Sequence, residues 1–231
     1  MWDFEEGEVL AFDKPLRWTS FDLVAKVRWN LCQKLGRKKL KVGHTGTLDP
    51  LATGVVILCT GKKTKLIESL QYDVKEYEAT LQLGATTPSY DMEKPVDATY
   101  PTAHITRELI DRTIPLFVGE QWQTPPAFSA IQINGKRAYE FARKGEEVEL
   151  KPRLLVIDEI EVLNFDAEAM LLTIRVVCSK GTYIRALARD IGERLGSGAY
   201  LTALRRTRVG NTRVEDCYTI EQFLEKLMAN G

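Results

Sequence analysis

Residues 43–54 read GHTGTLDPLATG, with one of the chain's two histidines and a single acid among three glycines and a proline. Asp49 stands before Pro50, which biases the aspartate toward extended backbone. Gly43, Gly46 and Gly54 permit sharp turns or close approach to a ligand. Such a loop can hold one carboxylate in a fixed pose, although an ordinary Asp-Pro turn is written with the same letters. His44, five residues upstream of Asp49, suits a base or a stacking group, or an exposed loop histidine. Arg185 opens a helical pattern. A cation there opposes the helix dipole by roughly 0.3–1 kcal/mol, a conflict that a nearby anion removes, and a surface arginine reads the same way. Tyr77 begins the inward row of an alternating stretch. It either presents its ring to a cleft and its hydroxyl to a partner, or closes a core edge. Taken together, these residues suggest a carboxylate, a cation and aromatic surface for a planar ligand.

Those residues need a scaffold. EVLAFD at 8–13 reads as a strand. Thr19 or Ser20 can cap a helix through about Leu35, with Phe21, Val24, Val27, Leu31 and Leu35 near one face. Residues 55–60 (VVILCT) suit a strand buried on both faces, and 62–71 a short helix. In KEYEATLQL at 75–83, Tyr77, Ala79, Leu81 and Leu83 alternate against Glu76, Glu78, Thr80 and Gln82. A helix is expected over 104–115. The segment 121–137, QWQTPPAFSAIQINGKR, carries Pro125-Pro126 and Asn134-Gly135 and has loop or hairpin chemistry. Strands follow at 153–164 and 170–178. A helix over 182–195 has Ile184, Leu187, Ala188, Ile191 and Leu195 at its spacing, and a strand near 199–208 and a helix at 219–228 close the chain. Strands and helices mix without regular βα alternation, which points to the α+β class.

Composition narrows the chemistry. The 231 residues are 44% hydrophobic and 28% charged, the profile of a soluble globular protein. No run approaches the length of a membrane span, and the acidic start MWDFEEGEVL is no secretory signal. Cys32, Cys59, Cys178 and Cys217 form no CxxC pair, which argues against zinc and disulfides and suits the cytoplasm. Formal net charge is zero, yet the basic residues cluster at Arg37-Lys38-Lys39 with Lys41, Lys62-Lys63 with Lys65, and Arg205-Arg206 with Arg208 and Arg213. Acids gather apart from them, at Glu5-Glu6 with Glu8 and at Glu146-Glu147 with Glu149. Gly61-Lys62-Lys63-Thr64 lacks the upstream glycine of a phosphate-binding loop, that position being Val56. Neither a dinucleotide fingerprint nor a GxSxG elbow is present. Two histidines are too few for a metal cluster. The expected chemistry therefore uses carboxylate, tyrosine, arginine and histidine without cofactor or metal.

Longer stretches carry a family resemblance. GHTGTLDPLATG resembles the catalytic motif of the TruB family, the bacterial tRNA pseudouridine-55 synthases. DKPLRWTSFDLVAKVR at 13–28 is similar to its first motif and KEYEATLQLG at 75–84 to its tyrosine strand. TPPAFSAIQINGKRAYEFARKG at 124–145 resembles its RNA-binding thumb. SKGTYIRALARDIGERLG at 179–196 matches its arginine motif and LRRTRVG at 204–210 its leucine motif.

The resemblance implies a pseudouridine synthase fold: a central mixed, mostly antiparallel sheet flanked by helices, with a thumb at about 121–150. Many members of the family continue into a small RNA-binding PUA domain; in a departure from that pattern, a single catalytic domain over 1–231 without a PUA domain is expected here. The activity implied is isomerisation of uridine at position 55 in the T-arm loop of tRNA, on a flipped-out base, by a cytoplasmic monomer with no obligate protein partner and no cofactor. Asp49 matches the nucleophile, Arg185 the arginine that pairs with it, and Tyr77 the tyrosine that stacks on the base. Leu204 matches the residue closing the base's other side. His44 matches a histidine that helps hold the rearranged RNA loop. Lys14, in the first motif, supports the active-site loop or phosphate contacts, and Tyr183, in the arginine motif, completes the substrate-binding set. The first motif usually reads KPxGxTS. Arg17 stands at the glycine, implying a turn with no need of positive φ. Two alternatives remain: a tRNA-binding chaperone on the same fold, and a guide-RNA-dependent synthase of the dyskerin type.

Overall fold

The computed structural model describes residues 2–71, 73–129, 131–133, 135–146 and 149–229. Asn134 of the Asn-Gly turn and Glu147 of the acidic run lie outside them. The elements run β1 (Val9–Lys14), α1 (Ser20–Leu35), β2 (Val42–His44), β3 (Ala52–Thr60), α2 (Ile67–Leu70), β4 (Lys75–Leu83), β5 (Ala85–Thr86) and β6 (Ala98–Thr99). They continue with α3 (Arg107–Thr113), β7 (Gly119–Gln123), β8 (Gln132–Ile133), β9 (Lys136–Arg137), α4 (Ala138–Arg143), β10 (Arg153–Asp166) and β11 (Leu171–Cys178). The last are α5 (Ile184–Arg194), β12 (Ala199–Val209), β13 (Thr212–Arg213) and α6 (Ile220–Ala229). They form two compact units, Met1–Tyr77 with Leu204–Gly231, and Glu78–Ala203. Both β4 and β12 run through the division.

In the first unit β3 is flanked by β1 and β2, both antiparallel, with Lys14 opposite Gly54 and His44 opposite Leu58. Its first residues pair in parallel with β12, Leu204 against Ala52 and Arg206 against Gly54. Strand β3 begins at Ala52, three residues before the expected VVIL run, because that parallel partner recruits Ala52, Thr53 and Gly54. Burial on both faces is as expected: Val55, Val56, Leu58 and Cys59 have no exposure.

Helix α1 starts where its local chemistry says. The Thr19 hydroxyl accepts the Asp22 N–H at 2.9 Å, and the Asp22 carboxylate accepts the Thr19 N–H at 2.8 Å. This closes a reciprocal cap. Gly36 ends the helix at φ 62°, a conformation glycine adopts without strain. Leu23, Val27 and Leu31 are fully buried, each contributing roughly 1.5–3 kcal/mol. Phe21 departs from the expected apolar face. It is 62% exposed, with the Arg28 guanidinium 5.8 Å from its ring centre. The buried stripe instead includes Ser20, whose hydroxyl reaches Leu48, and that turns Phe21 outward.

In the second unit hydrogen-bonded strands follow the order β12, β4, β11, β10, β7. Tyr77 at the end of the first unit and Ala79, Leu81 and Leu83 in the second are buried along β4, as their alternation predicts. Strand β10 pairs antiparallel with β11 and with β7. The segment expected as loop or hairpin therefore begins as a sheet strand and then holds the short β8–β9 hairpin. Ile184, Leu187 and Ile191 of α5 are buried. The α+β class with mostly antiparallel strands is the observed architecture.

Candidate active site

The loop that carries Asp49 is tied down on both sides of the carboxylate. Before it, Thr45 N–H donates to Ile57 O at 3.0 Å. Leu48 is buried and pinned by one hydroxyl. Its N–H donates to Ser20 Oγ at 2.8 Å, and Ser20 Oγ donates to its carbonyl at 3.1 Å. After it, the Ala52 N–H closes a turn onto Asp49 O at 3.0 Å, with Pro50 at the position where its fixed φ suits such a turn. Arg17 N–H donates to Pro50 O at 2.7 Å. Asp49 is half-buried, and the backbone on both sides of it is held by hydrogen bonds.

The Arg17 bond overturns one expectation. Arg17 adopts φ 68°, so the turn keeps the left-handed backbone for which glycine is the usual choice. That conformation costs a non-glycine residue on the order of 1–2 kcal/mol. The hydrogen bond to Pro50 ties the turn to the catalytic-motif loop, and the arginine conforms.

Lys14 is completely buried. Its Nζ donates to Trp18 O at 2.6 Å and Pro15 O at 3.0 Å. Burial lowers its pKa to about 8; Asp49 works against that shift, Arg206 adds to it, and Asp22 and Asp13 oppose it. His44 ends β2 half-buried. Burial first, then the Arg206 charge, hold its pKa below the ordinary imidazole value, partly offset by a hydrogen bond with the Gly46 backbone. Leu204 sits half-buried opposite Ala52, and Tyr77 is buried on β4. Lys14, His44, Asp49, Tyr77 and Leu204 thus all belong to the first unit.

Arg185 and Tyr183 belong to the second. Arg185 is not a surface residue; it is 5% exposed. Its guanidinium donates to Phe128 O at 2.9 Å and Ser89 O at 3.3 Å, and its Nε lies 3.8 Å from an Asp91 carboxylate oxygen. Tyr183 caps α5 by position, gripped through its backbone by one side-chain amide. Its N–H donates to Gln123 Oε1 at 2.9 Å, and Gln123 Nε2 donates to its carbonyl at 3.2 Å. Arg189, one turn on, donates to Thr124 O at 3.1 Å and stacks 5.0 Å from the Tyr90 ring centre. So α5 organises residues 123–128 and 89–91 within this unit. A cavity of about 430 Å3, lined among others by Phe117, Trp122, Leu187 and Asp190, includes none of the sequence-predicted site residues. Among the described residues no cluster of potential metal ligands occurs.

Sequence reasoning misses the roles of Ser20, Gln123 and Arg206. Arg206 reads along the chain as part of a basic run, yet it is 3% exposed. Strand alternation holds the signal, because Arg206 shares the side of Leu204 and not that of Arg205.

Residues 33–184 match the family model described as TruB family pseudouridylate synthase (N terminal domain). Residues 185–231 match the one described as tRNA pseudouridylate synthase B C-terminal domain. The chain is 65% identical over 225 residues to the tRNA pseudouridine synthase B of Phocaeicola vulgatus, covering 97% of this chain and 95% of that one. It is 50% identical to that of Flavobacterium johnsoniae, covering 97% and 98%. Among solved structures it resembles a chain of a Cbf5–Nop10–Gar1 complex with TM-score 0.71 and 29% identity, covering 96% of this chain and 54% of that one. A chain of an H/ACA RNP bound to a substrate RNA containing 2′-deoxyuridine gives TM-score 0.68 and 27% identity, covering 96% and 53%. The present chain spans about half the length of those two solved chains.

Proposed function

The chain belongs to the TruB family of pseudouridylate synthases, and we propose from its site how it isomerises uridine to pseudouridine in tRNA. The enzyme breaks the bond between the ribose C1′ and N1 of the base, lets the base turn, and joins C1′ to C5. The C5 proton leaves and N1 takes one up, so atoms and electrons balance without an external reagent. Asp49 is the covalent nucleophile, a recognised use of a carboxylate. Tyr77 and Leu204 face the flipped base, which must leave its stack before the reaction can reach it. Arg185 supplies a counter-charge, and its burial means that the charge is held rather than solvated. His44 and Tyr183 contact the RNA, and Lys14 maintains the turn that supports the loop.

The observation that carries this reading is the bracing of Asp49, above all the paired hydrogen bonds between Ser20 and Leu48. A loop fixed at the residue before its acid and closed by a turn at the acid itself delivers that group in one pose. The substrate is the T-arm loop, with segment 121–150 as the RNA-binding thumb of a single catalytic domain. The enzyme acts as a cytoplasmic monomer without guide RNA or protein partner. Cys32, Cys59, Cys178 and Cys217 are spaced without a CxxC pair, which suits that location. The guide-dependent alternative is not favoured: identity to the ribonucleoprotein chains is 29% and 27%, against 65% to a tRNA pseudouridine synthase B.

Incubation with an unmodified tRNA transcript tritiated at uridine C5, with no guide RNA or metal, tests the assignment. Multiple-turnover tritium release is expected from the wild type. Asp49→Asn is expected to bind tRNA with near-normal affinity and to release none. Wild-type turnover by that variant would remove Asp49 from the mechanism.

A further inference from the structure

We infer that Arg206 is a positioning residue for the reaction, a guanidinium clamp that joins the two ends of the Asp49 loop. Its Nε donates to Val55 O at 2.7 Å, beyond the acid, and its Nη2 donates to Gly46 O at 3.1 Å, before it. A longer contact runs from Nη1 to Thr47 O at 3.4 Å. The clamp therefore spans the segment that contains the nucleophile. Its backbone is fixed as well, since Arg206 lies opposite Gly54 in the parallel β3–β12 pairing. Gly54 has φ 109°, and a Cβ there would come 2.1 Å from Arg206 O. The strand carrying the arginine and the strand leaving the loop thus approach as closely as glycine alone permits. A planar guanidinium can bind carbonyls in different directions at once while remaining charged; a lysine ammonium carries the charge without that fork.

This inference rests on the assignment of Asp49 as nucleophile, and the clamp can be measured independently of it. Arg206→Lys is expected to fold and to keep KM for tRNA within about threefold of wild type. Its kcat should fall by about a hundredfold, the scale of a displacement of ~1 Å at a reacting group. Arg206→Ala should recover part of its kcat with added guanidinium ion. Amide hydrogen exchange at Leu48 and Ala52 should be faster in both variants. In the unaltered protein, the Arg206 Nε–H should exchange far more slowly than those of exposed arginines. A purely structural role would lower stability but leave kcat per folded molecule unchanged. The clamp is overturned by a folded Arg206→Lys with kcat within twofold of wild type, by a loss confined to KM, or by an Arg206 Nε–H that exchanges freely. The last measurement decides even if neither variant folds. Should Asp49→Asn retain turnover while Leu48 exchange still responds to Arg206→Lys, the nucleophile assignment fails and the clamp stands.

Discussion

Lys14 carries an amine with no solvent exposure and two carbonyl partners of its own turn. Its native pKa of about 8 lies below the unfolded value near 10.4. Between those values the unfolded chain holds a proton that the native protein lacks, so stability rises with pH across this window. Relative to Lys14→Met, the wild type should gain on the order of 2–3 kcal/mol between about pH 7.5 and 10.5, read by urea denaturation. A flat difference would mean that the amine is not desolvated. The same environment tells against Lys14 as a phosphate ligand, which its place in the first motif leaves open. Arg17 shows the converse limit. Its identity suggests an ordinary backbone, but its φ of 68° is set by the turn around it, because one substitution cannot relax a geometry fixed by neighbouring hydrogen bonds.

At the scale of elements, α1 does more than pack. Its reciprocal cap at Thr19 and Asp22 fixes where the first turn starts, and that places Ser20 against Leu48. Ser20→Ala leaves a buried N–H and carbonyl at Leu48 without this partner, a loss of about 1–3 kcal/mol. The expected signature is a lower Tm together with a fall in kcat larger than any change in KM. Equal retention of kcat would separate the helix from the catalytic loop. The cap, the strand alternation at 75–83 and the pattern of α5 were legible because each is written in neighbouring residues. The early start of β3 was not, since it depends on a partner strand about 150 residues away in sequence. The outward rotation of Phe21 was not legible either; a buried serine took priority over a larger apolar side chain because it has a partner at Leu48.

At the scale of the whole molecule, part of the clustered charge is paired within the chain. Arg37 meets Glu5 at 2.8 Å, Lys62 meets Glu6 at 2.6 Å and Arg205 meets Asp13 at 2.7 Å. Glu5 and Glu6, two of the acids that gather apart along the chain, are thus partners of two of the bases. The two most exposed of these pairs add little stability, because water and salt screen them. By contrast, Lys136, Arg137, Lys144, Lys151 and Arg153, in and beside the 121–150 segment, are exposed. If they contact phosphates, log affinity for tRNA should fall linearly with log salt. Replacing Lys136, Arg137 and Lys144 with glutamine should reduce that slope by about one for each phosphate no longer neutralised. An unchanged slope would place the footprint elsewhere. The sequence alone determined the six ordered motifs, the family and the fold class, because motif residues and local periodicity lie along the chain. Only the tertiary structure decided that Arg206 rather than Arg205 turns inward to Val55, and that Ser20 holds Leu48. Those partners are 151 and 28 residues apart, and strand register and helix rotation, not local composition, bring them together.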